Sequence, residues 1–282
     1  RAIQLNSNFS SAYNNLGNAL KDQGNLTSAI KSYQRAIQLK PNFCDAHYNL
    51  GIAFKDQRDL MSAAVSLKKA IQLNPNDSEA HNILGTALKE LGNKKEAIAS
   101  YNIALNLNPN YPEAQCNLGC AFYEQGDFTA AITAYNRAIQ LKPNYPKAYC
   151  NLGCALHEQK EFTAAITSYN KAIQLKPNYP EAYNNLGNTY KKKGDLTAAV
   201  TSYSRALKLK PNYPEVHSNL GATLQDQGDL TAAITAYNTA IQLNPDKPDV
   251  YSNLGNALKE QGDLNAAIIS YKKSLELKPD NP

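Results

Sequence analysis

Four thiols and one imidazole are the side chains whose types and spacing come nearest to a reactive centre. Cys116 and Cys120 stand four residues apart, Cys150 and Cys154 repeat the pair, and His157 follows three residues later. Soft thiolates with imidazole are the ligands Zn²⁺ selects. The spacing argues against a metal. Tetrahedral ligation at ~2.3 Å brings sulfurs within about 4 Å of one another, whereas packed helices lie ~8–10 Å apart axis to axis. The same register elsewhere in the chain holds Asn, Ser or Ala, so Cys reads there as a small side chain. No metal and no cofactor is expected.

A column of carboxamides is the stronger chemical signal. Asn15, Asn49, Asn117, Asn151, Asn185, Asn219 and Asn253 keep one register, interrupted by Ile83. Asn is a mediocre helix former, so its recurrence in mid-helix needs a reason. Each carboxamide offers donors and acceptors to a peptide backbone, and a column of them could hold an extended chain without reading its side chains. The competing reading is that each amide bonds a neighbouring segment and fixes the stacking. Beside this column Asn14, Asn18, Asn184, Asn188 and Asn256 alternate with Tyr, Thr, Cys, Ser and Ala, the variation expected of residues that set specificity.

The elements that must position these side chains follow from punctuation. The chain has 282 residues, 14 glycines and 14 prolines. Eight prolines, from Pro41 to Pro279, and eight glycines, from Gly17 to Gly255, recur every 34 residues. Such a period marks a repeat array and excludes a single central core. Residues 1–9 read as the end of a preceding repeat, followed by modules 10–43, 44–77, 78–111, 112–145, 146–179, 180–213, 214–247 and 248–281. In the first module Tyr13, Leu16 and Leu20 form one helical stripe, and Ala29, Tyr33, Ala36 and Ile37 form another. Gly24-Asn25 separates them, and Pro41 ends the second helix. Gly17, Ala29 and Ala36 are small enough to let helices approach, with Tyr33 as the large knob against them. Asp127, Asp195, Asp229 and Asp263 follow the turns as helix N-caps rather than as acids or bases. Pro after Asn-Tyr suits the first turn of a helix, and the Tyr of that turn is read as covering the seam between modules.

This pattern resembles the tetratricopeptide repeat over the whole chain: aromatic-x-x-Leu-Gly, then Ala, aromatic, Ala and Pro in each copy. Departures include the absence of Trp, Arg58 and Lys160 at the turn glycine, and Leu67 in place of Tyr. The resemblance implies an all-α fold, a right-handed superhelical solenoid of helix-turn-helix hairpins, with the first helix of each hairpin lining a concave groove. It also implies a protein or peptide partner held there in extended conformation. The asparagine column looks like the one in the repeat domain of O-linked N-acetylglucosamine transferases, where it contacts substrate backbone. A clamp for acidic C-terminal tails is disfavoured, because Asp45, Glu79, Glu113, Glu181, Glu215 and Asp249 occupy the second position of the first helix, with Lys147 alone of opposite sign.

Composition closes further possibilities. Net charge is +5, with acids and bases interleaved along the chain, so no nucleic-acid partner is expected. No apolar run reaches the ~20 residues of a membrane span. Five cysteines, an odd number in an array, favour a reducing, cytoplasmic setting over a disulfide framework. Every glycine and proline has a structural post, leaving none for a phosphate loop, and the segment reads as non-catalytic. Ile268, Tyr271 and Leu275 have no following module to cover them, which suggests end-to-end self-association. Three functions therefore stand: a scaffold gripping extended peptides, the substrate-recruiting part of a larger enzyme such as a glycosyltransferase, and a self-associating structural module.

Overall fold

A computed structural model describes residues 9–278; the segments 1–8 and 279–282, and with them most of the proposed preceding repeat and the last two prolines, lie outside the described residues. The chain forms two compact units that divide between Pro143 and Asn144. The first unit contains α1 (Ser10–Asp22), α2 (Leu26–Leu39), α3 (Cys44–Asp56), α4 (Leu60–Leu73), α5 (Ser78–Glu90), α6 (Lys94–Leu107), α7 (Pro112–Gln125) and α8 (Phe128–Leu141). The second contains α9 (Pro146–Glu158), α10 (Phe162–Leu175), α11 (Pro180–Lys193), α12 (Leu196–Leu209), α13 (Pro214–Asp226), α14 (Leu230–Leu243), α15 (Pro248–Gln261) and α16 (Leu264–Leu277). Every regular element among the described residues is helical, and odd and even helices pair as antiparallel hairpins.

Local chemistry sets the helix ends. Asp127, Asp195, Asp229 and Asp263 each accept a hydrogen bond from the backbone N–H three residues on, as do Asn25, Asp59 and Asp77. Those bonds satisfy donors that a helix start leaves orphaned. Pro112, Pro146, Pro180, Pro214 and Pro248 open first helices, where a missing N–H costs nothing. The turn inside each hairpin demands a left-handed residue: Gly126 has φ 82°, while Arg58 and Lys160 adopt 69° and 63° without being glycine.

Packing within a hairpin is knob against hole. Tyr33, Tyr101, Tyr203 and Tyr237 are fully or almost fully buried, each over the mid-helix glycine of its partner helix. Packing between hairpins uses the first helix's leucine: Leu50 lies on Ala29, Ile30 and Tyr33, and Leu84 on Ala64 and Leu67. In the second unit Leu186 lies against the cluster of Ala165 and Tyr169. No hairpin closes its own apolar stripe, so each depends on the next. Within each unit, first helices of successive hairpins also touch one another, while second helices do not. The first helices therefore form the tighter, inner row. On α16, Leu264, Ile268, Ile269 and Leu275 are exposed.

Candidate functional site

The ladder amides lie along the inner row, and four of them are tied backwards to the preceding hairpin. Asn49 Nδ2 donates to Asn14 Oδ1 at 3.1 Å, Asn117 Nδ2 to Asn82 Oδ1 at 3.0 Å, and Asn219 Nδ2 to Asn184 Oδ1 at 3.1 Å. All three bonds span 35 residues: one whole repeat plus one step. Asn185 Nδ2 follows the same direction but reaches Cys154 Sγ at 3.3 Å. Asn49, Asn117 and Asn219 are half-buried, and among the described residues their Oδ1 atoms accept from no protein donor. Each thus retains one N–H and one carbonyl oxygen for something else. Asn15 is exposed, Asn253 is half-buried, and Asn151 on α9 is half-buried and engaged.

The flanking positions divide by role. At the fifth position of the first helix, Asn14 and Asn82 are buried acceptors for the ladder, and Asn184 is a half-buried one. At the ninth position the carboxamides face their own second helix: Asn18 Oδ1 accepts from Tyr33 at 2.8 Å, Asn188 from Tyr203 at 2.7 Å and Asn256 from Tyr271 at 2.7 Å. Thr86 does the same for Tyr101 at 3.3 Å. Burial pushes the Tyr33, Tyr203 and Tyr237 hydroxyls up to about 12, so they remain neutral donors.

Sequence reasoning missed the reach of the turn tyrosines. Asn82 Nδ2 donates to the Tyr111 hydroxyl at 3.1 Å, so a residue assigned to the seam ends beside the ladder. Tyr179 likewise meets the Cys150 thiol. Their recurrence in Asn-Tyr-Pro was visible; the direction of the side chain was not. His47, His81 and His217 also have a specific job. Each places Nε2 on the carbonyl of the turn proline six residues earlier, at 2.9, 3.1 and 2.9 Å.

The sulfur-rich stretch is a packed polar chain. All five cysteines are free thiols. Hydrogen bonding to Cys154, reinforced by burial, raises the Cys150 pKa. The Thr189 hydroxyl donates to Asn185 O at 2.8 Å, so His157 Nδ1 must be the donor in its own 2.8 Å bond to Thr189 Oγ1. Burial lowers the His157 pKa, and Lys192 lowers it further. Among the described residues no group of three or more His, Cys, Asp or Glu is arranged to hold a metal ion. Nor is any helix there long and apolar enough to cross a membrane. At the twelfth position Lys89 and Lys191 reach the next repeat's Glu124 and Asp226 at 2.8 and 3.0 Å, and Gln225 reaches Glu260 at 2.7 Å. These are rungs between repeats, as the ladder bonds are.

Residues 17–58 and 85–126, 44–77, and 66–99 match three tetratricopeptide-repeat family models, and residues 108–281 match the model of the Cilia and flagella-associated protein 70 C-terminal domain. The chain belongs to the tetratricopeptide-repeat family. Solved structures agree with that fold. The array resembles a chain of the APC/C hetero-tetramer Cut9–Hcn1 with TM-score 0.67 and 18% identity, over 98% of this chain but 54% of that one, so it spans about half of that relative's length. It also resembles MamA (TM-score 0.54, 28% identity, 57% of this chain and 95% of that one). A third likeness is to YrrB, a tetratricopeptide-repeat protein with an unusual peptide-binding site (TM-score 0.54, 19% identity, 64% of this chain and 93% of that one). No curated protein sequence matches the chain.

Proposed function

We propose that this tetratricopeptide-repeat array is a non-catalytic interaction module that holds an extended polypeptide along its first-helix face. The observation that carries this reading is the half-used ladder amide. In Asn49, Asn117 and Asn219 one N–H is fixed on the preceding hairpin, which orients the group, while the other N–H and Oδ1 keep their capacity. Such pre-orientation lowers the entropy lost when a ligand is held. The two sequence readings of the column therefore combine: stacking sets the amide, and the set amide contacts backbone. The turn hydroxyl of Tyr111 borders the same track. A peptide-binding relative of the same fold, YrrB, is consistent with this assignment.

The test is panning of an unbiased peptide library on the intact chain, followed by anisotropy measurements on the enriched peptides. Asn49→Ala, Asn117→Ala and Asn219→Ala together should weaken binding at least tenfold, and N-methylation of the peptide backbone should do the same. Full affinity in both cases, with helicity unchanged, rules the backbone grip out.

A further inference from the structure

The alternation of acids and bases along the sequence hides a segregation between the two helices of each hairpin. Every second helix except α14 carries Lys or Arg, and the only carboxylates within second helices are Glu96 and Glu276. Six of the cations share one register position: Arg35, Lys69 and Arg137 in the first unit, and Lys171, Arg205 and Lys273 in the second. Lys273 pairs with Glu276 at 3.0 Å. Among the described residues the other five have no carboxylate within 4.0 Å. Three of them instead donate to a neutral glutamine one turn on: Arg35 to Gln38 at 3.2 Å, Arg137 to Gln140 at 3.3 Å, and Lys171 to Gln174 at 2.9 Å. A carboxamide orients the cation and leaves its charge uncancelled.

Apolar clefts open beside this column. Lys69 lines one of about 610 Å³ with Ile37, Leu50 and Val65. Arg137 lines another of about 580 Å³ with Leu118 and Phe122. Arg205 and Lys208 line a third of about 770 Å³ with Tyr183, Leu186 and Tyr190. Asp195 borders that third cleft, but its carboxylate caps α12 through Ala198 N at 3.0 Å. None of the three clefts includes a ladder asparagine.

The geometry points to a second docking surface, on the second helices, for an extended acidic polypeptide whose carboxylates meet the cation column while its apolar side chains enter the clefts. Within each unit the charges follow the repeat direction, with at most one at this register in any hairpin and Ile103 and Thr239 as the gaps, which suits a linear partner. Duplex nucleic acid presents a charge every ~1.7 Å and calls for a dense field. A bilayer calls for exposed apolar side chains across the whole face, whereas the outward positions of α10, α12 and α14 are Thr163, Thr167, Thr197, Thr201, Thr231 and Thr235, all exposed. The assignment is independent of the first-helix grip.

The probe is a fluorescein-labelled peptide of repeated Glu-Leu-Ser, titrated against the full chain by anisotropy, with a Gln-Leu-Ser peptide as control. Expected are saturable binding of the Glu peptide, at least tenfold weaker binding of the Gln peptide, and at least tenfold loss in Lys69→Glu/Arg137→Glu/Arg205→Glu. Asn117→Ala and Asn219→Ala should leave this binding unchanged. If the charge-reversed variant loses helicity, the Lys69→Gln/Arg137→Gln/Arg205→Gln variant carries the comparison. Equal binding of the two peptides, or loss in the Asn variants with none in the cation variants, overturns the proposal. So does tighter binding of a DNA oligonucleotide or of phosphatidylserine vesicles through the same cations.

Discussion

Gly187 and Tyr203 interlock: a methyl carbon placed on Gly187 meets Tyr203 Cε1 at 2.6 Å. Tyr203 cannot swing aside, because it is fully buried and its hydroxyl is held by Asn188 at 2.7 Å. Alanine at this helical site gains about 1 kcal/mol of propensity. Overpacking a well-filled site costs about 1–3 kcal/mol. Gly187→Ala is therefore expected to lower stability by up to ~2 kcal/mol, read as a lower urea midpoint. A midpoint at or above that of the parent chain refutes the interlock.

The left-handed turn gives the opposite sign. Lys160 sits at φ 63°, a conformation that costs a residue with a Cβ ~1–2 kcal/mol. Glycine relieves that cost but adds disorder to the unfolded chain. Lys160→Gly should thus stabilise the second unit by about 0.5–1 kcal/mol in thermal melts, whereas Arg58→Gly also gives up an exposed ion pair to Glu90 at 3.1 Å. That pair is worth little. No gain in either variant would mean the turn is unstrained.

Ladder positions should differ sharply from one another. Removing the Asn117 amide leaves the buried Asn82 Oδ1 without its 3.0 Å donor, a loss of about 1–3 kcal/mol. Asn15 is exposed and donates to no other hairpin among the described residues, so Asn15→Ala should shift stability by less than ~0.5 kcal/mol. Paired denaturation curves decide the matter, and equal effects at both sites contradict the tie.

Alkaline pH should loosen the array. The Tyr33, Tyr203 and Tyr237 hydroxyls are raised to about 12, mainly by burial, against ~10 in an unfolded chain. The folded state therefore keeps protons that the unfolded state has lost. Stability is full below pH ~10 and declines as pH climbs towards 12. Tyrosinate absorbance should lag behind that of a denatured sample over this window, and a urea midpoint constant from pH 9 to pH 11.5 would show these hydroxyls to be unperturbed.

The hairpins were readable from the sequence because their causes are local: a glycine at a fixed step, an aspartate before Ala-Ala, a proline after Tyr. The knob role of Tyr33 against Gly17 followed from size alone. What escaped was partner choice. Asn49 advertises hydrogen-bonding capacity but not that its donor turns back to Asn14, since the bond crosses a seam between repeats. Asn18 reads as a groove residue, and the sequence did not show that its Oδ1 also holds Tyr33. The charge separation escaped for another reason. Counting along the chain mixes the two helices that folding sorts onto opposite sides.

The backward tie has a consequence for how such a chain can change length. Where the tie is present, a repeat offers an acceptor to the donor of the next one, as Asn14 does to Asn49 and Asn184 to Asn219, so excising or duplicating one whole module keeps donor and acceptor positions in register. An insertion of any other size strands a donor on one side of the cut and an acceptor on the other. Changes of array length that keep this register come in quanta of a single hairpin.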